Sequence, residues 1–321
     1  SKIRLNRALA GGGIYSTGNL CLSYGQVHNN RSQNFGGGIG NRGGTVTVLN
    51  RVSIANNIAG WESGQLPGGG GFANINGDAY LNGTQITGNQ VIRGAMGGGG
   101  ILNAGSSVMR LTAVLVKENF SNDQGGGISN TIGYGEGFTG ANPTLTIQND
   151  SRIGWNTALR GGGIANNGIL SIKETLIGVN TATKGWGGGI YTQGEASLTL
   201  SRVVANRATS GGGIHNDGQL LIKDSRITNN TVDNHGGGTF NRRGGHLSIQ
   251  GTTFTGNTAE RHGGGIYNNG EELGESGPGA TFEIVNSTFH QNNAFGNGGG
   301  LYSGSLNSPQ RLTNVTITAN W

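Results

Sequence analysis

Residues 161–182 read Gly161-Gly-Gly-Ile-Ala-Asn-Asn-Gly-Ile-Leu-Ser-Ile-Lys-Glu-Thr-Leu-Ile-Gly-Val-Asn-Thr-Ala182. Ile164 is the one large apolar residue of the first stretch, and Asn167-Gly168 is a turn dipeptide. Leu170 and Ile172 alternate with Ser171 and Lys173, the period of a half-buried strand. A third short strand follows with Ile177 facing inward, and Asn180 closes it. Three short strands in about two dozen residues predict one coil of a three-faced parallel β-helix, each face pairing with the same face of the next coil at about 4.8 Å.

The same coil recurs along the whole chain. Gly-Gly-Gly begins at Gly11, Gly36, Gly69, Gly98, Gly125, Gly161, Gly187, Gly211, Gly236, Gly263 and Gly298, and an apolar residue or Thr239 closes each triplet. The closing residues lie 24 to 36 apart, a period that marks a stacked repeat rather than a compact enzyme fold. We therefore expect one all-β domain over 1–321, a right-handed solenoid of about 11 coils and roughly 50 Å long.

Composition agrees. Glycine is 67 of 321 residues without the every-third-residue spacing or the proline of collagen, and regular apolar positions argue against disorder. The net charge of +5 comes from scattered basic residues, with Arg242-Arg243 adjacent, so no nucleic-acid partner is expected. The lone Cys21 permits no intrachain disulfide and does not decide the compartment. No apolar run is long enough for a transmembrane helix, and a chain starting at Ser1 is expected to be processed or a piece of something longer.

The most regular motif is apolar-x-x-Asn, ending at Asn30, Asn57, Asn89, Asn119, Asn156, Asn180, Asn206, Asn230, Asn257, Asn292 and Asn320. Asparagines stacked at one corner can bond amide to amide, and asparagine also tolerates the left-handed backbone of a sharp corner. A second row, Asn41, Asn74, Asn103, Asn130, Asn166, Asn216, Asn241 and Asn268, follows the glycines. Structural ladders are the expected role of both, in preference to a ligand or ion track. The triple glycines serve tight turning, or alternatively leave a smooth outer strip for a second rod or a glycan.

The alternation of Gly-Gly-Gly-Ile and apolar-x-x-Asn along the whole chain resembles the Gly-Gly-small-Ile and Phe-x-x-Asn signature of the polymorphic outer-membrane protein repeats of chlamydial surface proteins. Segments such as Gly263-Gly-Gly-Ile-Tyr-Asn-Asn-Gly270 and Ser287-Thr-Phe-His-Gln-Asn292 are still more similar to the right-handed β-helix repeats of large bacterial surface proteins. The resemblance implies secreted or surface-exposed proteins with adhesive or structural roles, and it brings no catalytic residues and no cofactor.

Candidate contact residues fall at the ends and in the insertions. The chain enters and leaves on the strand that leads to the asparagine corner, so Ile3, Leu5 and Asn6 at one end and Ile317, Asn320 and Trp321 at the other are candidates for a head-to-tail joint in matching phase. Insertions carrying Trp61 and the acidic Glu271, Glu272 and Glu275 are candidates for a loop interface. Tyr15, Tyr191, His215, Phe240, Tyr267 and Tyr302 share the position after the triplet and are expected outside, as scattered surface aromatics. His235 and His262 should stack one coil apart, and with Asp233, Glu260 and Arg261 they form the best metal-like group; a solvated surface row is the plainer reading.

The sequence thus favours a non-catalytic extracellular or cell-surface protein, a filament or sheath subunit whose partner is itself. The alternatives are the passenger segment of a surface adhesin that meets a host or glycan surface, and a polysaccharide-binding or -degrading β-helix. The acids are too dispersed for paired-carboxylate hydrolysis, and the threonine row an ice-binder needs is interrupted by Lys173, Lys223 and Glu283.

Overall fold

The computed structural model describes residues 1–61, 68–93, 97–133, 141–242, 244–269, 279–304 and 308–321. Every strand is parallel to its neighbours, and the chain winds as a solenoid of about eleven turns. No helix among these residues is long and apolar enough to cross a membrane.

Each coil contributes to four sheets rather than three. Taking the central coil, Ile164–Asn166 belongs to a glycine sheet, Ile169–Lys173 to a long sheet and Leu176–Gly178 to an asparagine sheet. The fourth, short sheet holds the two-residue strand Thr181–Ala182. The asparagine sheet has 12 strands and the other three have 11 each. The extra face was not visible because its strands are two residues long and turn small side chains inward, such as Ala182, Ala208 and Ala259. Two residues carry no alternation to read.

The core is a column of stacked aliphatic residues. Ile164, Ile190 and Ile214 are register partners in the glycine sheet; Leu170 and Leu220 flank Ala196 in the long sheet; Ile153, Ile177 and Val203 stack in the asparagine sheet. Burial of these side chains is the main driving term, at about 25 cal/mol per Å² of apolar area.

Both corners of the asparagine sheet need left-handed backbone. At the exit corner the residue before the ladder asparagine has φ between 49° and 66° in all twelve coils, from Leu5 to Ala319. The asparagines themselves do not, which corrects the reading of Asn30 and its equivalents as the left-handed residues. Their role is hydrogen bonding.

The glycine triplets are buried in every coil but the first and last, so they form no smooth outer strip. Gly211 to Gly213 show why. Gly211 has φ +64°, while a Cβ on Gly212 or Gly213 would sit 2.7 or 2.5 Å from the next coil's backbone oxygen. Gly213 also faces the Asn230 amide at 3.1 Å. Close approach between coils, as much as turning, demands glycine here.

Candidate functional site

The asparagine corner is one continuous hydrogen-bonded column from Asn6 to Asn320. Asn180 illustrates the unit. Its backbone N–H and its Nδ2 both donate to Asn206 Oδ1, at 2.9 and 3.0 Å, and Nδ2 also donates to the carbonyl of Ile153 at 3.0 Å. Its own Oδ1 accepts the same pair of bonds from Asn156. Such an amide has both protons and both lone pairs occupied and none left for a ligand. The second row is joined likewise from Asn41 to Asn166 and from Asn216 to Asn268, with Thr192 and Ser303 hydroxyls standing in for amides.

At the ends the column is incomplete. Asn6 donates to Asn30 Oδ1 through its backbone N–H and Nδ2, and Asn320 Nδ2 donates to its own Thr318 carbonyl in place of a further asparagine. Leu5 and Trp321 are 72% and 78% exposed, Ile317 is exposed, and Ile3 is half-buried over the core. Bond polarity would let Asn320 donate to Asn6 of a second copy. The strand count qualifies the matching phase, however. Setting Lys2–Arg4 of one copy on Thr316–Thr318 of another pairs the asparagine sheet and leaves the other three sheets one strand apart.

Of the aromatic residues after the triplets, Tyr15 is exposed as expected, but those of the last five coils are not scattered on the surface. They lie outside the aliphatic core, as expected, but Tyr191, His215 and Phe240 are 2%, 1% and 8% exposed. The segment entering each triplet folds across this face of the glycine sheet, so that a Cβ on Gly211 would touch His215 Cβ at 2.8 Å. The rings form a ladder of their own, with centroids 4.7 Å apart for His215 and Phe240, 5.0 Å for Phe240 and Tyr267, and 4.9 Å for Tyr267 and Tyr302. These spacings match the coil rise, and stacked pairs of this kind add about 0.5–1.5 kcal/mol each beyond burial. A second file covers the first. Trp186 stacks on His215 at 5.1 Å, and His235 stacks on Tyr267 at 4.6 Å and on His262 at 5.2 Å.

Asp217 is the polar hub of this layer. It accepts from Tyr191 Oη at 3.1 Å and pairs with His215 Nε2 at 2.9 Å, while the Arg242 guanidinium lies 3.5 Å away. Burial alone would push the Asp217 carboxyl up; the hydrogen bond and charge of His215, with Arg242 and Tyr191, bring it below the usual carboxylate range. Burial pushes His215 down despite Asp217, and burial with the Asp217 charge pushes Tyr191 up. A neutral His215 donating from Nε2 leaves its buried Nδ1 without a partner. Arg160 and Arg242 sit 5.1 and 5.3 Å from the Trp186 ring centre. The His, Tyr and Asp groups therefore point at one another, a bracing arrangement rather than one aimed at a reactant.

The histidine pair does stack, but as part of the aromatic layer. Burial, then His262 and Arg261, hold the His235 imidazole down to about 4. His262 Nδ1 accepts from the Asn297 backbone N–H at 2.8 Å, and Asp233 pairs with Arg207 instead. Among the described residues no group of three or more His, Cys, Asp or Glu is placed to hold a metal ion. Trp61 is half-buried with the Arg7 guanidinium 5.2 Å from its ring, and Glu271, Glu272 and Glu275 lie outside the described residues. The sequence held one signal for the buried aromatic layer: a ring beside the triplet in each of the last five coils.

Comparison with known proteins agrees with the coil. Residues 251–269 match the Chlamydia polymorphic membrane protein repeat. That stretch contains Phe254 with Asn257 and the triplet ending at Ile266, the two halves of the motif. The repeat resemblance and the parallel solenoid thus point to the same class of β-helix surface-protein repeats. No curated protein sequence matches the chain. Among solved structures, a double mutant of the periplasmic alginate epimerase AlgG is similar over 99% of this chain and 74% of its own, at 10% identity and a TM-score of 0.48. A likeness that distant carries no argument about site or activity.

Proposed function

We propose that this chain is a non-catalytic structural rod of the cell surface or extracellular space, extended by adding β-strands to its end layers. The observation that carries the reading is the contrast along the asparagine column. Every amide from Asn30 to Asn292 is saturated by its neighbours, as Asn180 is, so the column serves the stack alone; at the outermost coils Asn320 Nδ2 instead bonds its own Thr318 carbonyl, beside exposed Leu5 and Trp321 at the two end layers. Unpaired strand edges are templates for further strands. The surface location is supported by the membrane-protein repeat that residues 251–269 match.

The finer form of the proposal is a filament subunit. A second copy in phase continues the asparagine sheet and its ladder, and this heterologous contact is open, so it propagates. Negative-stain electron microscopy of residues 1–321 at rising concentration tests it. Filaments with an axial repeat near the roughly 50 Å rod length support the joint, and Trp321→Asp should shorten them. Single short rods at every concentration would leave the rod but remove the filament. Turnover of a polysaccharide by the same preparation would overturn the non-catalytic reading.

A further inference from the structure

We propose that the outer face of the asparagine sheet, in the coils around Gly154 and Gly178, binds a linear acidic polysaccharide lying along the rod. This goes beyond the structural role proposed above. In this column the outward residues run Lys117, Gly154, Gly178 and Val204, one per coil. Two missing side chains open a hollow of about 320 Å³, walled by Trp155, Leu176, Val179 and Val204.

Two of the walls are placed at conformational expense. Trp155 and Val179 occupy the left-handed corner with φ +55° and +57°, yet they are 58% and 44% exposed. The same corner carries Asn29, Asn56, Asn229, Gly88 and Gly256, which accept this backbone readily, and elsewhere Leu5, Glu118, Ala205, Gln291 and Ala319; Trp155 is its one aromatic residue and Val179 its one β-branched residue. A bulky ring and a β-branched side chain held there, with much of their surface in water, contribute little to folding. Strain of this kind concentrates at contact sites.

The rim says what the contact is. Arg152, Arg202 and Arg226 share one outward position of the sheet, with Leu176 between the first two. All three are exposed, and none has an ion-pair partner among the described residues. Lys117 is neutralised by Glu118 at 3.1 Å, and Glu174 is held by Lys173 at 3.5 Å. Asp150 lines an adjoining hollow beside Arg152 and Arg202, leaving the row net positive. Adjacent guanidinium groups one coil apart repel each other until an anion lies between them. A second copy of this face would bring arginine against arginine, so the occupant is anionic. A flat apolar floor beside an exposed indole suits the C–H face of a sugar ring. A chain of such rings running across the coils carries its carboxylates past Arg152, Arg202 and Arg226 in turn.

Affinity electrophoresis of residues 1–321 in gels containing polygalacturonate, with dextran as the neutral control and phosphatidylglycerol vesicles in a parallel sedimentation assay, tests the assignment. Polygalacturonate should retard the chain, dextran should not, and salt should weaken the effect. Trp155→Asn, which installs a residue the same corner carries in other coils, should weaken binding about tenfold. Gly178→Thr, which fills the hollow with the residue found in register at Thr228, should do the same, and Arg202→Gln with Arg226→Gln should remove most of the salt dependence. Thermal melts of each variant confirm folding. Equal retardation by dextran, wild-type binding by all these variants, or binding to the vesicles alone would each overturn the proposal.

Discussion

The outer face of the glycine sheet is covered in two different ways along the rod. In the second to fifth coils its strands are four residues long, as in Phe72–Ile75 and Ile101–Ala104, and the column after the triplet is small or aliphatic: Gly40, Ala73, Leu102 and Ser129. Ala73, Ile75, Leu102 and Ala104 make a small core of their own with Phe35 against it. Ile164–Asn166 is transitional, three residues long with Ala165 in the column, and from Ile190–Thr192 onward the three-residue strands carry Tyr191, His215, Phe240, Tyr267 and Tyr302 there. One half fills the space with an extra strand residue per coil and the other with a ring per coil. The inner ladder is indifferent to that change, since the Asn57–Asn89 and Asn206–Asn230 bonds are both 3.0 Å. The backbone solenoid is therefore set by the asparagine and glycine columns, while the outer layer is where coils are free to differ.

The largest expected effect breaks what the two halves share. Asn180→Ala strands the Asn156 donors and the Ile153 carbonyl in a buried corner, a loss of about 4 kcal/mol. Asn89→Ala in the other half should cost the same within error by chemical denaturation. A difference of more than about 1.5 kcal/mol would mean that the outer layers support the ladder unequally.

Next comes the column that differs. Phe240→Ala removes a ring stacked on His215 and Tyr267 and should cost about 3 kcal/mol. Ser129→Ala at the same position of the other half should be neutral or slightly stabilising, because the Ser129 hydroxyl is buried without a partner. Asp217→Asn weakens the brace between Tyr191, His215 and Arg242 and should cost about 2 kcal/mol. Similar losses for Phe240→Ala and Ser129→Ala would refute the division into two kinds of outer layer.

Acid should find the aromatic half first. His235 takes a proton only near pH 4 when folded, against an ordinary value of 6.5, so the unfolded chain binds the proton first as pH falls. Stability is then intact above about 6.5 and declines between there and about 4. Buried His215 is shifted the same way and adds to the decline. Thermal melts from pH 7 to 4 should show a smaller fall for His235→Phe, which keeps the stack on His262 and Tyr267 without a titrating group. Parallel curves for the variant and the parent would assign the acid sensitivity elsewhere.

Much of this was legible because columns repeat. One coil, Gly161–Ala182, predicts the parallel solenoid, and the apolar-x-x-Asn spacing places Asn180 and its equivalents on one ladder. The fourth sheet escaped because Thr181–Ala182 is too short for a period, and its inward residues are as small as those of a turn. The burial of Tyr191, His215 and Phe240 escaped because strand alternation says which side of the sheet a residue occupies, not whether a neighbouring segment folds over that side. The hollow at Gly154 and Gly178 is a sum over two coils that no single repeat displays.

The smallest predicted effect separates the cost of a corner from its use. Val179 holds φ +57°, a conformation that crowds Cβ against the carbonyl and is worst for a β-branched residue. Asn229 occupies the same corner two coils later with φ +55°, where a side chain of that type accepts the backbone. Val179→Asn also removes an apolar surface that is 44% exposed, so little burial is lost. The substitution should raise stability by about 1 kcal/mol, seen as a higher denaturation midpoint with an unchanged slope. Asn229→Val is the reciprocal change and should lower it by a similar amount. If Val179→Asn instead destabilises, Val179 packs into the outer layer as the aromatic column does. A gain in stability makes Val179 a residue kept at that corner for something other than folding.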